Sequence, residues 1–306
     1  MPDAIDEVIL KTPVVKDIAK GCKKLKLPKM DGLTLYDLIK LYFFGIIKGT
    51  FSTRASSIAF SFFMAIFPFL LFILNLIPFI NFIDDFQDEV LYFIEDLMPT
   101  QASKFFTEIF IDIANNPRAG LLSFVFLLSV FLMSNGVNAI FTSFEFSYHT
   151  KINRTIIRQY MVAVGVALII AILLLFSVAI TIYLTYIIGN LKDMGIVGDS
   201  ILLANIGRYA TLIITLYVGI AILYYFGTKE GRQSRFFSIG ALFTAFLIIV
   251  TTYLFSFYLE HFASYNKLYG SIGALLILMI YIWLNSNIFL LGFELNASIH
   301  KLKNRN

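Results

Sequence analysis

The stretch YMVAVGVALIIAILLLFSVAITIYLTYII, residues 160–188, contains no charged residue. A helix of about 20 apolar residues crosses the roughly 30 Å hydrocarbon core of a bilayer. This stretch is long enough to do so, and it lacks the alternation of polar and apolar residues that marks a strand of a membrane barrel. It therefore predicts a transmembrane helix.

Similar apolar runs recur through most of the chain. Of its 306 residues 58% are hydrophobic and 14% are charged, whereas soluble domains carry about 25% charged residues. The predicted fold class is therefore all-α, a polytopic membrane helix bundle with about six transmembrane helices. The expected spans are residues 55–80, 119–141, 160–188, 208–227, 237–259 and 271–293.

The positive charges are unevenly divided between the loops. Nineteen of the 24 Lys and Arg residues lie before the first span, in the loop 142–159, in the loop around Lys229 or in the C-terminal tail. Short loops rich in Lys and Arg stay in the cytoplasm. Both termini are therefore expected on the cytoplasmic side, which requires an even number of spans.

Three parts are expected along the chain. Residues 1–54 form a basic cytoplasmic tail with an amphipathic helix at 35–48 in the headgroup layer, residues 55–293 the membrane domain, and residues 294–306 a second cytoplasmic tail. A nucleic-acid-binding arm is an alternative reading of the basic tail, but a positive-inside tail explains it, so no nucleic-acid partner is expected. Membrane lipids are the expected partners, with anionic headgroups bound at Lys20, Lys23, Lys24, Lys26 and Lys29.

Catalytic and metal-binding patterns are not found in the sequence. The largest outer loop, residues 81–118, carries eight acidic residues but no calcium-binding loop, and is expected to form amphipathic helices on the outer surface. The single cysteine, Cys22, has no thiol partner, and the histidines are not paired for a metal. No phosphate-binding loop is present. No catalytic residue, metal or cofactor is therefore predicted, and the chain is not expected to be an enzyme.

Uncharged polar residues line one face of several spans. In the first span Ser57, Ser61, Pro68 and Asn75 lie within about 40° of one another around the helix. Pro68 also removes a backbone hydrogen bond, which is tolerated in lipid where protein or water replaces it. This face is expected to point into the bundle.

Two further stripes lie on the second and the last spans. They admit two interpretations, because polar residues hydrogen-bond between packed helices and also line polar paths through membranes. The second span carries Asn135, Asn138, Thr142 and Glu145, and the last carries Asn285, Asn287 and Glu294. The candidate cavity or substrate-path residues are Ser57, Ser61, Pro68, Asn75, Asn135, Asn138, Glu145, Asn285, Asn287 and Glu294.

Three segments together resemble the YihY/BrkB family. They are SIAFSFFMAIFPF at 57–69, LYGSIGA at 268–274 and LGFELNA at 291–297. The resemblance implies six spans with cytoplasmic termini in a bacterial cell (inner) membrane. Glu145 departs from the family, which tends to have Asn there. The motif residues are Phe67, Pro68, Tyr269, Gly270, Gly292, Glu294 and Asn296.

The resemblance implies an architecture rather than an activity, since family members have been labelled both ribonuclease BN and virulence factor BrkB. Metal-dependent RNA cleavage needs clustered metal ligands, which the inward loops do not supply. The leading hypothesis is a transporter or exporter of a lipid, an amphiphile or a small solute. The alternative is a non-transporting envelope scaffold or assembly factor.

Overall fold

Six long α-helices make up the part of the chain that the computed structural model describes. That part comprises residues 50–76, 122–145, 155–194, 200–228, 236–262 and 272–303, with isolated residues at 23, 26, 34–36, 91–92, 95, 107 and 111. The predicted all-α bundle is confirmed there. The helices are α1 Thr50–Leu76, α2 Leu122–Glu145, α3 Ile156–Asp193, α4 Ser200–Gly227, α5 Ile239–Phe262 and α6 Ile272–Lys303.

Five of these helices, α2 to α6, are long and apolar enough to cross a membrane within the described residues. Helix α1 has 27 residues, which corresponds to about 40 Å at 1.5 Å per residue, and is the sixth helix of spanning length. Helix α6 continues past the predicted end at residue 293 to Lys303, because Glu294 and Asn296 have partners inside the bundle. The interfacial helix at 35–48 and most of the outer loop 81–118 lie outside the described residues.

Contacts between helix ends show that α1 is antiparallel to α6 and that α2 is antiparallel to α3. Arg54, near the start of α1, pairs with Glu294 towards the end of α6. Gln159, at the start of α3, bonds to Thr142 near the end of α2. These residues therefore lie together at one end of the bundle, here called the inner end. It is the end that the distribution of Lys and Arg assigns to the cytoplasm.

The helices form a closed ring in chain order. Each helix packs on the next, and α6 packs on α1 to close the ring, while α2 also contacts α4 and α6. The connections from α2 through to α6 are short, as between antiparallel neighbours in helical bundles, whereas residues 77–121 separate α1 from α2 in the chain. The first and last helices are therefore direct neighbours.

Two hydrophobic clusters fill the bundle, at different depths. The inner core lies in the half of the membrane next to the inner end and takes side chains from all six helices, while the outer cluster lies in the other half and takes them from α1, α5 and α6. The inner core comprises Phe51, Ala55, Ile58, Val137, Ile140, Phe141, Phe144, Ala163, Val166, Ala167, Ile220, Ala221, Ile222, Leu223, Tyr224, Ala241, Ala245, Phe289, Leu290, Leu291 and Phe293. The outer cluster comprises Phe255, Leu259, Ile277, Leu278 and Tyr281, with Phe63 and Ile66 of α1 packed against it.

Candidate functional site

Gln159, in the first turn of α3, joins α3 to the end of α2. Its side-chain nitrogen lies 3.0 Å from both carboxylate oxygens of Glu145, and its oxygen accepts a 2.9 Å hydrogen bond from the Thr142 hydroxyl. The same Gln159 oxygen also lies 3.1 Å from the side-chain amide of Asn138. A carboxylate can only accept hydrogen bonds, which fixes the amide nitrogen towards Glu145. Gln159 is buried and draws together three residues of the predicted α2 stripe.

Arg54 of α1 occupies another part of the inner end. Its Nη1 lies 3.6 Å from Glu294 Oε1 of α6, and the two side chains are only 11% and 7% exposed. Its Nη2 donates to the Ser143 carbonyl of α2, and the guanidinium lies 5.3 Å from the centre of the Phe51 ring. Burying two charges is costly unless they are paired and hydrogen-bonded. Arg54 therefore holds α1, α2 and α6 together.

Asn296 of α6 caps the start of α5. Its Oδ1 accepts a 2.8 Å hydrogen bond from the Gly240 N–H, and its Nδ2 donates to Ser238 Oγ over 2.7 Å. The first N–H groups of a helix have no partner within that helix. Ser238 caps α5 locally, since its Oγ accepts a 3.2 Å hydrogen bond from the Ala241 N–H, and Asn296 adds an acceptor for the Gly240 N–H from a neighbouring helix.

Gly292 lies where α5 and α6 approach most closely. A Cβ on Gly292 would overlap the Thr244 hydroxyl and lie 2.6 Å from the Tyr224 hydroxyl, and a Cβ on Gly240 would overlap the Gly292 carbonyl. Small residues permit such close approach of membrane helices. The motif residues Gly292, Glu294 and Asn296 thus hold α6 against its two neighbours in the ring.

Aromatic side chains fill the centre of the inner end. The Tyr224 hydroxyl of α4 lies 2.6 Å from Thr244 Oγ1 of α5 and donates to the Phe289 carbonyl of α6, also over 2.6 Å. Phe144 of α2 stacks on Phe293 of α6 with ring centroids 3.8 Å apart. All five residues are buried. The bundle is therefore closed at its inner end.

One face of α4 changes its surroundings along the helix. At the inner end Tyr224 contacts Thr244 of α5, and Tyr217 stacks on Phe237, which lies just before the start of α5. At 100° per residue the same face continues outwards through positions 213, 210, 206 and 203, where Ile213, Ala210, Ile206 and Leu203 are all exposed. The face is thus covered by α5 in the inner half and open in the outer half. This open strip of α4, which continues the face that meets α5 at Thr244, is here called the seam.

The other predicted path residues lie away from these contacts. Ser57 is exposed, and Ser61 and Asn135 are half-buried. The Asn285 and Asn287 amides donate to the carbonyls of Tyr281 and Trp283 in their own helix.

Some of the predicted residues fall outside the described side chains. Helix α1 continues through Pro68, but the side chains of Phe67, Pro68 and Asn75 are not among those described, and Tyr269 and Gly270 lie outside the described residues altogether.

Several partners in the inner end were not predicted from the sequence. Arg54 was counted only as a positive charge of the tail, and Gln159 only as the end of a loop. Tyr224 lies in an apolar span without a polar stripe, whereas the small-residue spacing of Gly240 and Thr244 predicts the close helix contact that the structure shows. An arginine or glutamine at the start of an apolar helix is a usable sequence signal for a polar contact site, because such a side chain requires a partner inside the bundle when it is buried.

The structure describes two of the five lysines that are expected to bind anionic headgroups, Lys23 and Lys26. Lys23 Nζ lies 4.7 Å from the centre of the Tyr36 ring, and Lys26 forms an isolated antiparallel bridge with Thr34. Lys20, Lys24 and Lys29 lie outside the described residues. The binding of anionic headgroups by this tail stays a prediction.

Known proteins resemble the chain over most of its length. The family model for virulence factor BrkB matches residues 46–306. The ribonuclease-like protein YfkH of Bacillus subtilis is 31% identical over 257 residues, 82% of this chain and 90% of that protein. A UPF0761 membrane protein of Pseudoalteromonas translucida is 33% identical over 123 residues, 40% of this chain and 39% of that protein. No solved structure matches the chain.

The family model covers all six helices described above, and α6, which closes the ring, carries the motif residues Gly292, Glu294 and Asn296. The relatives named as membrane proteins agree with the apolar helices of the structure. This multi-pass protein of the bacterial inner membrane therefore belongs to the virulence factor BrkB family.

Proposed function

We propose that the protein transports a lipid or a similar amphiphile across the membrane, along the seam between α4 and α5. The observation that carries the proposal is the α4 face that is covered at Tyr224 and Tyr217 and exposed at Ile213 and Ile206. A molecule with apolar chains can enter such a strip sideways from the lipid. A water-soluble solute gains nothing from this lateral access.

The division of the hydrophobic clusters supports the same proposal. The inner core joins all six helices, whereas the outer cluster draws on α1, α5 and α6. Packing between membrane helices depends on close van der Waals contact. Among the described residues the outer half of α4 contributes to neither cluster, so it can separate from α5 with little loss of core packing.

A reconstitution experiment tests the proposal. Purified protein is placed in liposomes with NBD-labelled phosphatidylglycerol, and dithionite quenching follows the label across the bilayer. Flux well above that of protein-free liposomes is expected. Ala210→Trp, which adds bulk on the seam face, should reduce flux at least fivefold, and Tyr209→Trp, about 100° away around the helix, should leave it unchanged. Equal flux in both variants would place the path elsewhere.

The polar residues provide a second test. Asn135 is half-buried within α2 and lies away from the Gln159 contacts. If it lines the path of the headgroup, Asn135→Leu should lower the flux of the labelled lipid. Unchanged flux in this variant would show that Asn135 does not line the path of the headgroup.

A non-transporting scaffold is the second candidate, and one observation favours it. Asn138, Glu145, Glu294 and Asn296 are all engaged in contacts between helices, as expected for residues that only hold a bundle together. A wild-type protein that folds normally but moves neither labelled lipid nor a small solute would favour the scaffold.

We do not propose RNA cleavage as an activity of this protein. Within the described ranges no three His, Cys, Asp or Glu side chains are grouped so that they could hold a metal ion. The ribonuclease-like name belongs to the relative from Bacillus subtilis. Incubation of the purified protein with precursor tRNA and a divalent cation should leave the RNA intact.

A further inference from the structure

We propose that the bundle moves as two three-helix bodies, α2–α3–α4 and α5–α6–α1, and that Tyr224, Phe144 and Phe293 form a gate between them at the inner end. This inference rests on the proposed function, because a path that crosses the membrane must at some stage open at the end that is closed here. The gate deepens that proposal by locating where the opening occurs.

Strong polar contacts lie within each body. Gln159 binds the Glu145 carboxylate and joins α3 to α2. Arg54 and Glu294 pair between α1 and α6, and Asn296 caps α5 from α6. Separating these helices would leave a buried charge or a helix terminus without a partner, which is strongly unfavourable. These contacts are expected to keep α2 with α3, and α5 and α1 with α6. Helix α4 is held to α3 by close apolar packing, at Gly207 against Leu184 and at Gly219 against Leu173.

Contacts between the bodies at the centre of the inner end are of a different kind. Among the described residues they include the hydrogen bonds of the Tyr224 hydroxyl with Thr244 and the Phe289 carbonyl and the stacking of the Phe144 ring on Phe293. All are neutral groups. They can separate and be rewetted or covered by an amphiphile without leaving a charge unpaired.

The contact between α1 and α2 is suited to serve as the pivot. A Cβ on Gly136 of α2 would lie 3.5 Å from the Phe62 ring and 3.8 Å from the Ser61 carbonyl of α1. These residues lie about halfway along their helices. Arg54 also donates to the Ser143 carbonyl across this contact. Rotation about α1 and α2 would open the opposite side of the ring, where Tyr224 meets α5 and α6.

Cross-linking tests the gate directly. In a Cys22→Ser background, Tyr224→Cys with Phe289→Cys places one thiol on each body, at residues whose ring centroids lie 4.9 Å apart. Thr252→Cys with Tyr281→Cys is the matched control, because those hydroxyls lie 2.8 Å apart within one body. A short bis-methanethiosulfonate reagent joins each pair, and a reducing agent releases it.

The expected result is a loss of NBD-phosphatidylglycerol flux of at least tenfold for the gate pair, restored by reduction, with less than a twofold change for the control pair. If flux persists when the Tyr224→Cys and Phe289→Cys pair is cross-linked, the gate proposal is wrong, while the transport proposal is unaffected. Loss of flux in both pairs alike would also overturn the gate proposal, since the motion would not be confined to the boundary between the bodies.

A second measurement does not depend on flux. In a Cys22→Ser background, Thr244→Cys, a nearly isosteric change at the partner of Tyr224 in the gate, and Leu290→Cys, an equally buried position in the inner core, are each exposed to a membrane-impermeant thiol reagent on inside-out vesicles. Modification of Thr244→Cys at least tenfold faster than Leu290→Cys is expected if the gate opens. Equal rates would overturn the gate whether or not lipid moves.

Discussion

Gly292 of α6 and Thr244 of α5 are packed so closely that a methyl group on the glycine would overlap the threonine hydroxyl. Gly292→Ala should therefore force α5 and α6 apart and destabilise the protein by about 1–3 kcal/mol, the usual cost of overpacking a core. Thermal unfolding in detergent measures this loss. Gly165→Ala is the control, because a Cβ on Gly165 meets nothing within 4 Å, and a loss as large as that of Gly292→Ala would contradict the assignment.

The Arg54–Glu294 ion pair yields a second prediction. Glu294→Leu leaves the buried guanidinium without its charged partner and should cost about 3–5 kcal/mol. The double variant Arg54→Met with Glu294→Leu removes both charges and should be more stable than the single variant. Chemical unfolding of the four proteins in a double-mutant cycle measures the coupling, and additive losses would show that the pair is not coupled.

Gln159 yields a third prediction, in which two substitutions are ranked. Gln159→Leu deprives Glu145 and Thr142 of a buried partner and should cost about 1–3 kcal/mol. Gln159→Glu places a second carboxylate beside Glu145 and should be the worse of the two at neutral pH. Melting temperatures at pH 7 give the order, and Thr155→Val, at an exposed neighbouring position, should have little effect.

Asn296 yields a fourth prediction through the cap of α5. Asn296→Ala removes the acceptor for the Gly240 N–H and should cost about 1 kcal/mol, as for other lost caps. Asn296→Asp keeps an acceptor and adds a negative charge at a helix N-terminus, which is favourable. Hydrogen exchange at the start of α5 should be faster in the alanine variant than in the aspartate variant, and the reverse order would argue against capping.

The orientation of the bundle can be checked by labelling. Met194, just after α3, is 71% exposed and lies at the opposite end of the bundle from Gln159. In a Cys22→Ser background Met194→Cys should react with an impermeant maleimide in intact cells. The wild-type protein, with Cys22 alone, should react only after the cells are opened. Labelling of Cys22 in intact cells would reverse the orientation.

The sequence predicts the helices well because membrane insertion depends on local apolarity. The expected end at residue 227 coincides with the end of α4 at Gly227, and α6 begins within one residue of the expected start at 271. The sequence does not predict that α6 continues beyond residue 293 to Lys303, because a polar terminal segment continues as helix only where a neighbouring helix supplies partners. That information is not local.

The inner end was only partly predictable for the same reason. The polar stripe on α2 identified Asn138 and Glu145, and the family motif identified Glu294 and Asn296. Their partners are set by the ring, which brings residues such as Arg54 and Glu294 together from opposite ends of the chain. The exposed outer half of the α4 face could not be predicted either, since apolar residues read alike whether they face lipid or another helix.

The closed ring has a consequence for biogenesis. Helices enter the membrane in chain order, and each can dock on the one inserted before it, but the ring closes only when α6 arrives beside α1. Until then Arg54 lacks the carboxylate with which it is buried in the finished protein. A nascent chain that stops short of α6 carries an exposed arginine at the membrane boundary, a feature by which quality-control proteases can distinguish an unfinished product from a completed one.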